Sequence, residues 1–178
     1  MADQLSAKDW LNQGLKTLAT NGFTALKAEP LAKAMGVSRG SFYWHFADVG
    51  AFHAAVLDHW RDVAAEQVIS DVEAESPDRL SALLRRVFGE RPPVLESAMR
   101  SWAAHDAAAR ATVEAVDQRR LGYVENLLKA SGLPAETARA RAQILYWAFL
   151  GFALSDKALS RPKQAILLDE LLRIARAG

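Results

Sequence analysis

The chain has 178 residues, a formal net charge of +1, a hydrophobic share of 51% and no cysteine. That is enough apolar material to fold around a core and too much for a disordered tail. The lack of cysteine removes disulfides, thiolate metal sites and cysteine nucleophiles from consideration.

Alanine, leucine, arginine and glutamate outnumber β-branched residues, which favours helix over sheet. The first ten residues, Met1 to Trp10, are polar and mixed in charge, unlike the apolar centre of a signal peptide. The longest apolar run, Ile144 to Leu154, has eleven residues and falls short of the roughly 18 to 20 that span a bilayer. A cytoplasmic protein with no membrane partner is expected.

In chain order, Ser6-Ala7-Lys8-Asp9 has the spacing of a capping box, with aspartate in place of the usual glutamate. The helix it opens carries Trp10, Leu11, Leu15 and Leu18 at helical spacing and ends at Asn21-Gly22. A second helix is predicted from Lys27 to Met35, with Pro30 in its first turn and Gly36 at its end. Ser38 caps a short third helix through His45, so Met35 to Ser38 forms the tight connection of a helix-turn-helix.

One long helix follows from Asp48 to Ala74. Ser76-Pro77-Asp78 opens the next, with Ser76 as N-cap, and Gly89 closes it. Arg91-Pro92-Pro93 marks a break before a helix through Trp102 and His105. Further helices run from Ala108 to Ala130, from Pro134 to Leu159, and from Ser160-Arg161-Pro162 to Arg176. The expected architecture is all-α, about nine helices, with no strand, no repeat and no low-complexity tract.

The segment Leu31 to Phe46 carries the functional information. Leu31, Ala32 and Met35 share one face of the second helix, and Val37, Phe42 and Phe46 are the apolar plugs that hold the third against it. The outward positions are then Arg39, Gly40, Ser41, Tyr43 and Trp44. Arg39 has the fork to bind a guanine edge bidentately, worth about 1–3 kcal/mol of discrimination. Ser41 is short enough to touch a base, and Gly40 lets the helix backbone approach closely. Tyr43, Trp44 and His45 have donors for phosphate, which positions the helix without reading sequence. Charge adds a mild footprint, because Gly22 to Phe46 holds Lys27, Lys33 and Arg39 against Glu29 alone. The opposing view makes Tyr43 and Trp44 core aromatics. It requires a third helix apolar nearly all round, which sits badly beside Arg39 and His45.

The segment from Leu5 to Trp60 resembles the DNA-binding domain of TetR-family repressors. Gly36-Val37-Ser38-Arg39-Gly40-Ser41-Phe42-Tyr43-Trp44-His45-Phe46 matches that family's signature, with Met35 where the family usually has alanine. The resemblance implies a DNA-contacting set of Ser38, Arg39, Ser41, Tyr43, Trp44 and His45, with Lys27 near phosphate. It also implies a departure: where the family usually places a lysine at the start of the fourth helix, this chain has Val49 and then Gly50, so one phosphate contact is missing. The domain division expected is 1–47 for the helix-turn-helix head and 48–178 for a ligand-binding and dimerisation body.

Within the body, Ile144 to Leu154 is apolar on every side of a helix, so one face packs on the chain's own core and the other calls for a partner. Ala148, Gly151 and Ser155 form a small-residue stripe on it. Leu167, Leu168, Leu171 and Leu172 repeat the apolar pattern on the last helix. Together they are read as a four-helix homodimer interface, in agreement with the family's habit. A two-fold pair of heads requires half-sites about 34–36 Å apart, hence an approximately palindromic operator. Trp60, Met99, Trp102, His105, Tyr123 and Trp147 are the candidate lining of a pocket for an apolar or aromatic effector, though each taken singly is more often plain core. The resemblance implies release from DNA by population shift, with the long fourth helix as lever.

Two other function classes compete with this reading. An enzyme finds no support, because His53 and His59 lie on different helix faces and no glycine-rich phosphate loop, His-Glu-x-x-His or nucleophile elbow occurs. His105-Asp106 followed by Arg110 reads as a solvated helix end. No metal or cofactor is expected. A helical adaptor or ligand sensor that keeps the helix-turn-helix fold without a DNA target is compatible with the modest charge and with Val49.

Overall fold

The computed structural model describes residues 5–75, 77–89, 93–155 and 158–176. Among them the secondary structure is helical throughout, with no strand. The segments are α1 (Ala7–Asn21), a 3-10 turn (Phe23–Ala25), α2 (Ala28–Ala34), α3 (Arg39–Tyr43), α4 (Val49–Arg61), a π turn (Asp62–Glu66), α5 (Gln67–Glu75), α6 (Arg79–Val87), α7 (Val94–Ala103), α8 (Ala107–Ala130), α9 (Ala135–Ala153) and α10 (Arg161–Arg176). The contacts divide the chain into two compact units, Met1–Asp62 with Val94–Val113, and Val63–Pro93 with Glu114–Gly178. The unit that holds the head thus extends past residue 47 and takes in α4 and α7.

In the first unit, the capping box forms as expected. The Ser6 side chain accepts from the Asp9 amide and the Asp9 carboxylate accepts from the Ser6 amide at 2.8 Å. That carboxylate is held below its usual pKa, chiefly by the hydrogen bond from the Ser6 side chain. α1 buries Trp10, Gly14, Leu15, Thr17 and Leu18 on one face. A Cβ at Gly14 would lie 2.8 Å from Cζ of Phe52 and 3.1 Å from a Val56 methyl, so α1 and α4 approach at a point where only glycine fits. Asn12 Oδ1 and His59 Nε2 join the same two helices at 2.8 Å.

α2 ends in a Schellman turn. The Val37 amide donates to the Ala32 carbonyl and the Gly36 amide to the Lys33 carbonyl, with Gly36 at φ +69°. Gly132 closes α8 in the same way at φ +96°. The break after α7 explains the polar string noted in the sequence. The helix stops at Ala103, Asp106 Oδ1 caps α8 through the Ala109 amide at 2.8 Å, and Arg110 Nε donates to the Ala103 carbonyl. His105 lies exposed at that break, outside any helix.

The core of the second unit gathers Val72, Leu84, Phe88, Val124, Leu128, Ala142, Leu145 and Leu171, among others. The expected unbroken helix over 48–74 is interrupted by the π turn. Arg119 forks onto Glu66 at 2.8 and 2.9 Å, and Arg120 Nε donates to the Ala64 carbonyl at 3.2 Å. The N-cap of α6 is Asp78, which accepts from the Ser81 amide; the expected cap Ser76 lies outside the described residues, as do Arg91 and Pro92 of the following break. Arg176 binds the Asp78 carboxylate too, and with Ser81 brings its pKa down to about 2. α9 ends at Ala153, short of the expected Leu159, with Leu154 as its cap. The apolar residues that suggested a longer helix, Leu154 and Leu159, fall in the connection to α10, and residues 158–160 are not helical.

Gly14→Ala should destabilise the first unit by about 1–3 kcal/mol, because overpacking against the Phe52 ring outweighs the helix-propensity gain of about 1 kcal/mol. A denaturant midpoint at or above the wild-type value would show that the Phe52 ring yields freely.

Candidate nucleic-acid interface

α3 is five residues long and is held by aromatic contacts. Phe42 is fully buried, with its ring centroid 5.4 Å from Trp10, 5.2 Å from Phe52 and 5.3 Å from Phe46. The Phe46 and Phe52 rings meet at 4.9 Å. Edge-to-face pairs of this kind add about 0.5–1.5 kcal/mol each beyond area burial. The amides of His45 and Phe46 both bond the Phe42 carbonyl, so the turn tightens as the helix ends.

With Phe42 and Phe46 inward, the remaining side chains are turned to solvent. Arg39, Gly40 and Tyr43 are exposed, and Trp44 is 85% exposed, an unusual state for so large an apolar surface. Ser41 and His45 are half-buried. Ser38 takes the N-cap position with an extended backbone, but its hydroxyl makes no cap bond. Lys27, at the N-cap of α2, and Lys33 are exposed on the neighbouring helix. Glu29, Ala32, Lys33, Val37 and Arg39 line an open depression between α2 and α3. Arg39 Nη2 donates to the Tyr43 hydroxyl at 3.1 Å, which raises the arginine's already high pKa.

Two glycines in helices contrast. Gly14 is required by a neighbour within the protein. Gly40 has ordinary backbone geometry, and a Cβ there would meet nothing closer than the Ser38 hydroxyl at 3.6 Å. No neighbour among the described residues asks for glycine at position 40.

The six candidate pocket residues do not share one setting. Trp60, Met99 and Trp102 are buried in the first unit. Phe23 stacks on Trp102 at 4.6 Å and His53 meets the same indole edge-on at 5.6 Å, so Trp102 is enclosed by aromatic neighbours. Tyr123 is buried in the second unit, where desolvation raises its pKa. Trp102 Nε1 and the Tyr123 hydroxyl, like Trp10 Nε1 in the head, have no hydrogen-bond partner among the described residues. His105 and Trp147 are corrections. His105 stands in the exposed break between α7 and α8, and Trp147 is 64% exposed on the outward side of α9, so neither lines an interior.

α9 divides as its apolar run requires. Leu145, Tyr146, Phe152 and Ala153 are buried, and Ile144, Trp147, Gly151 and Leu154 are exposed. The Tyr146 hydroxyl donates to Asp117 at 2.5 Å, and desolvation with that bond takes its pKa far above the usual value. Of the predicted interface, Gly151 is exposed, while Ala148, Ser155, Leu167, Leu168 and Leu172 are half-buried. Leu171 is a correction, because at 5% exposure it fills the second unit's own core. Ile144, Trp147, Leu154, Ile166 and Ile174 are the exposed large apolar side chains of α9, its cap and α10, and the first three lie at helical spacing from Ala148 and Gly151.

Residues 11–48 match the family described as bacterial regulatory proteins, tetR family. No curated protein sequence matches the chain. Among solved structures, the reduced form of Escherichia coli NemR aligns with a TM-score of 0.72 at 18% identity, over 94% of this chain and 96% of its own. A TetR transcriptional regulator from Legionella pneumophila aligns at 0.71 and 14%, over 99% and 96%. The fatty acid degradation regulator FadR from Bacillus halodurans aligns at 0.61 and 13%, over 97% and 95%.

Gly40→Ala should leave the fold as stable or raise its stability by up to about 1 kcal/mol, since helix propensity improves and space is open. Thermal melting checks it, and a lowered midpoint would reveal an internal need for glycine there.

Proposed function

We propose that the chain is a TetR-family transcriptional regulator that binds a palindromic operator as a homodimer and acts as a ligand-responsive repressor in the cytoplasm; the match of residues 11–48 to the tetR family and the likeness of its fold to TetR-family structures support this reading. The observation that carries this reading is the two-sidedness of α3: Phe42 and Phe46 are spent on the protein's interior, and Arg39, Tyr43 and Trp44 face solvent. In this reading α3 enters a major groove, Arg39 reads a base edge, and Ser41 touches a base. Lys27, Ser38, Tyr43, Trp44 and His45 contact backbone or sugar. Gly40, which no protein neighbour requires, lets the helix axis come close to the bases.

The homodimer rests on the exposed apolar face of α9 and α10. Ile144, Trp147, Gly151, Leu154, Ile166 and Ile174 present to water a surface of the kind that monomers bury. The half-buried Ala148, Ser155, Leu167, Leu168 and Leu172 flank it. The effector is an apolar or aromatic small molecule. Within the second unit, Tyr123 is its best-supported contact, because it holds a buried donor with no partner among the described residues, a state that costs about 1–3 kcal/mol. The Legionella pneumophila and Bacillus halodurans structures are described as regulators, which agrees with the class of activity, and their low identity carries no effector across.

Selection of bound sequences from random duplex DNA at moderate salt should enrich one approximate palindrome with half-sites one helical turn apart or a multiple. Recovery of no sequence preference, or of an unrepeated site, would contradict the proposal. Trp147→Glu should give a folded monomer by sedimentation and weaken binding to the full palindrome by at least tenfold, because a carboxylate cannot be buried in an apolar interface. A Trp147→Glu protein that remains a dimer would remove α9 from the interface.

A further inference from the structure

We infer that Tyr43 is a positioning residue for Arg39, holding the guanidinium that reads the base, so that base preference at one operator position depends on both side chains. This rests on the DNA-binding reading of α3 and deepens it.

The restraint runs outward from the core in three steps. Phe42 is fully buried, and its ring meets the Tyr43 ring at 5.2 Å and 80°, edge to face. Tyr43 is therefore anchored although it is 43% exposed. One turn earlier on the same helix face, Arg39 lays its guanidinium carbon 5.5 Å from the Tyr43 ring centroid and donates from Nη2 to the hydroxyl at 3.1 Å. Residues four apart on a helix are surface neighbours, which makes this pairing available at α3's short length. Among the described residues no carboxylate forms an ion pair with Arg39, so the tyrosine is what restrains it.

The chemistry leaves both residues free for DNA. Guanidinium has five N–H donors, and the tyrosine takes one, so a parallel pair remains for a guanine edge. The Tyr43 oxygen accepts from Arg39, and its own O–H is left to donate to a phosphate. An unrestrained arginine loses much side-chain freedom on docking, whereas one already held loses less and meets only the base that lies along its fixed direction. Tyr43 thus contributes to sequence reading and not only to grip. The sequence alone assigns the Tyr43 hydroxyl to phosphate, a contact that positions the helix without reading sequence. The Arg39–Tyr43 bond changes that expectation.

The test compares full-length wild type, Arg39→Ala, Tyr43→Phe and the double variant in quantitative selection from random duplex DNA, with affinities then measured on the enriched palindrome and its single-base variants. Tyr43→Phe keeps the ring against Phe42 and loses only the hydroxyl, and its melting temperature verifies the fold. The expected result is a loss of preference of about tenfold, or about 1.4 kcal/mol, at the base position where Arg39→Ala loses preference. The double variant should lose nothing further at that position. Equal weakening of all base variants by Tyr43→Phe, with the preference ratio at the Arg39 position intact, overturns the inference while leaving the DNA-binding reading in place. If the wild type enriches no sequence, the underlying reading fails and the inference falls with it.

Discussion

A helix of five residues forms little more than one turn of hydrogen bonds, far below the length at which helices persist alone, so α3 has to be held by its packing. Phe42 does this. It touches Trp10 from α1, Phe52 from α4 and Phe46 from the connection that follows. Phe52 in turn stands where it does because Gly14 leaves room for its ring against α1. The orientation of α3 thus depends on a single cluster in which every ring comes from a different segment. Everything that α3 presents to solvent is set by which of its faces that cluster occupies.

The opposite face carries features that folding does not reward. Gly40 lowers helix propensity by about 1 kcal/mol with no close neighbour to justify it. Trp44 leaves most of its indole in water. The outer side of α9, its cap and α10 repeats the situation with Ile144, Trp147, Leu154, Ile166 and Ile174. These are costs that the isolated chain bears, and the two surfaces differ in chemistry, that of α3 polar and narrow and that of α9 and α10 apolar.

The head was legible in the sequence because its signals are local. The capping box at Ser6, the glycines at 22 and 36, and the spacing of Phe42 and Phe46 each act over a few residues, and each reappears in the structure. Gly14 was not legible, because its reason is a ring thirty-eight positions away in sequence, from Gly14 to Phe52. The apolar run of α9 did not show which of its faces met the chain's own core. Leu171 was placed in an interface and Trp147 in a pocket for that reason, since periodicity fixes the stripes of a helix but not their orientation. The scattered large residues of the middle helices carried no periodic signal at all. Their separation into buried Trp60, Met99, Trp102 and Tyr123 against exposed His105 and Trp147 follows from tertiary packing.

The π turn shows the same limit of local signals. Val63-Ala64-Ala65 contains no glycine or proline, and by propensity it continues the helix from α4 into α5. A π turn is nonetheless present, and wider turns displace a carbonyl from its usual helical partner. Here Arg120 bonds the Ala64 carbonyl and Arg119 grips Glu66, both from α8. The guanidinium of Arg120 also lies 5.3 Å from the Phe149 ring of α9. The stabilisation that offsets the poorer helix geometry therefore comes from side chains more than fifty positions distant, not from the helix itself.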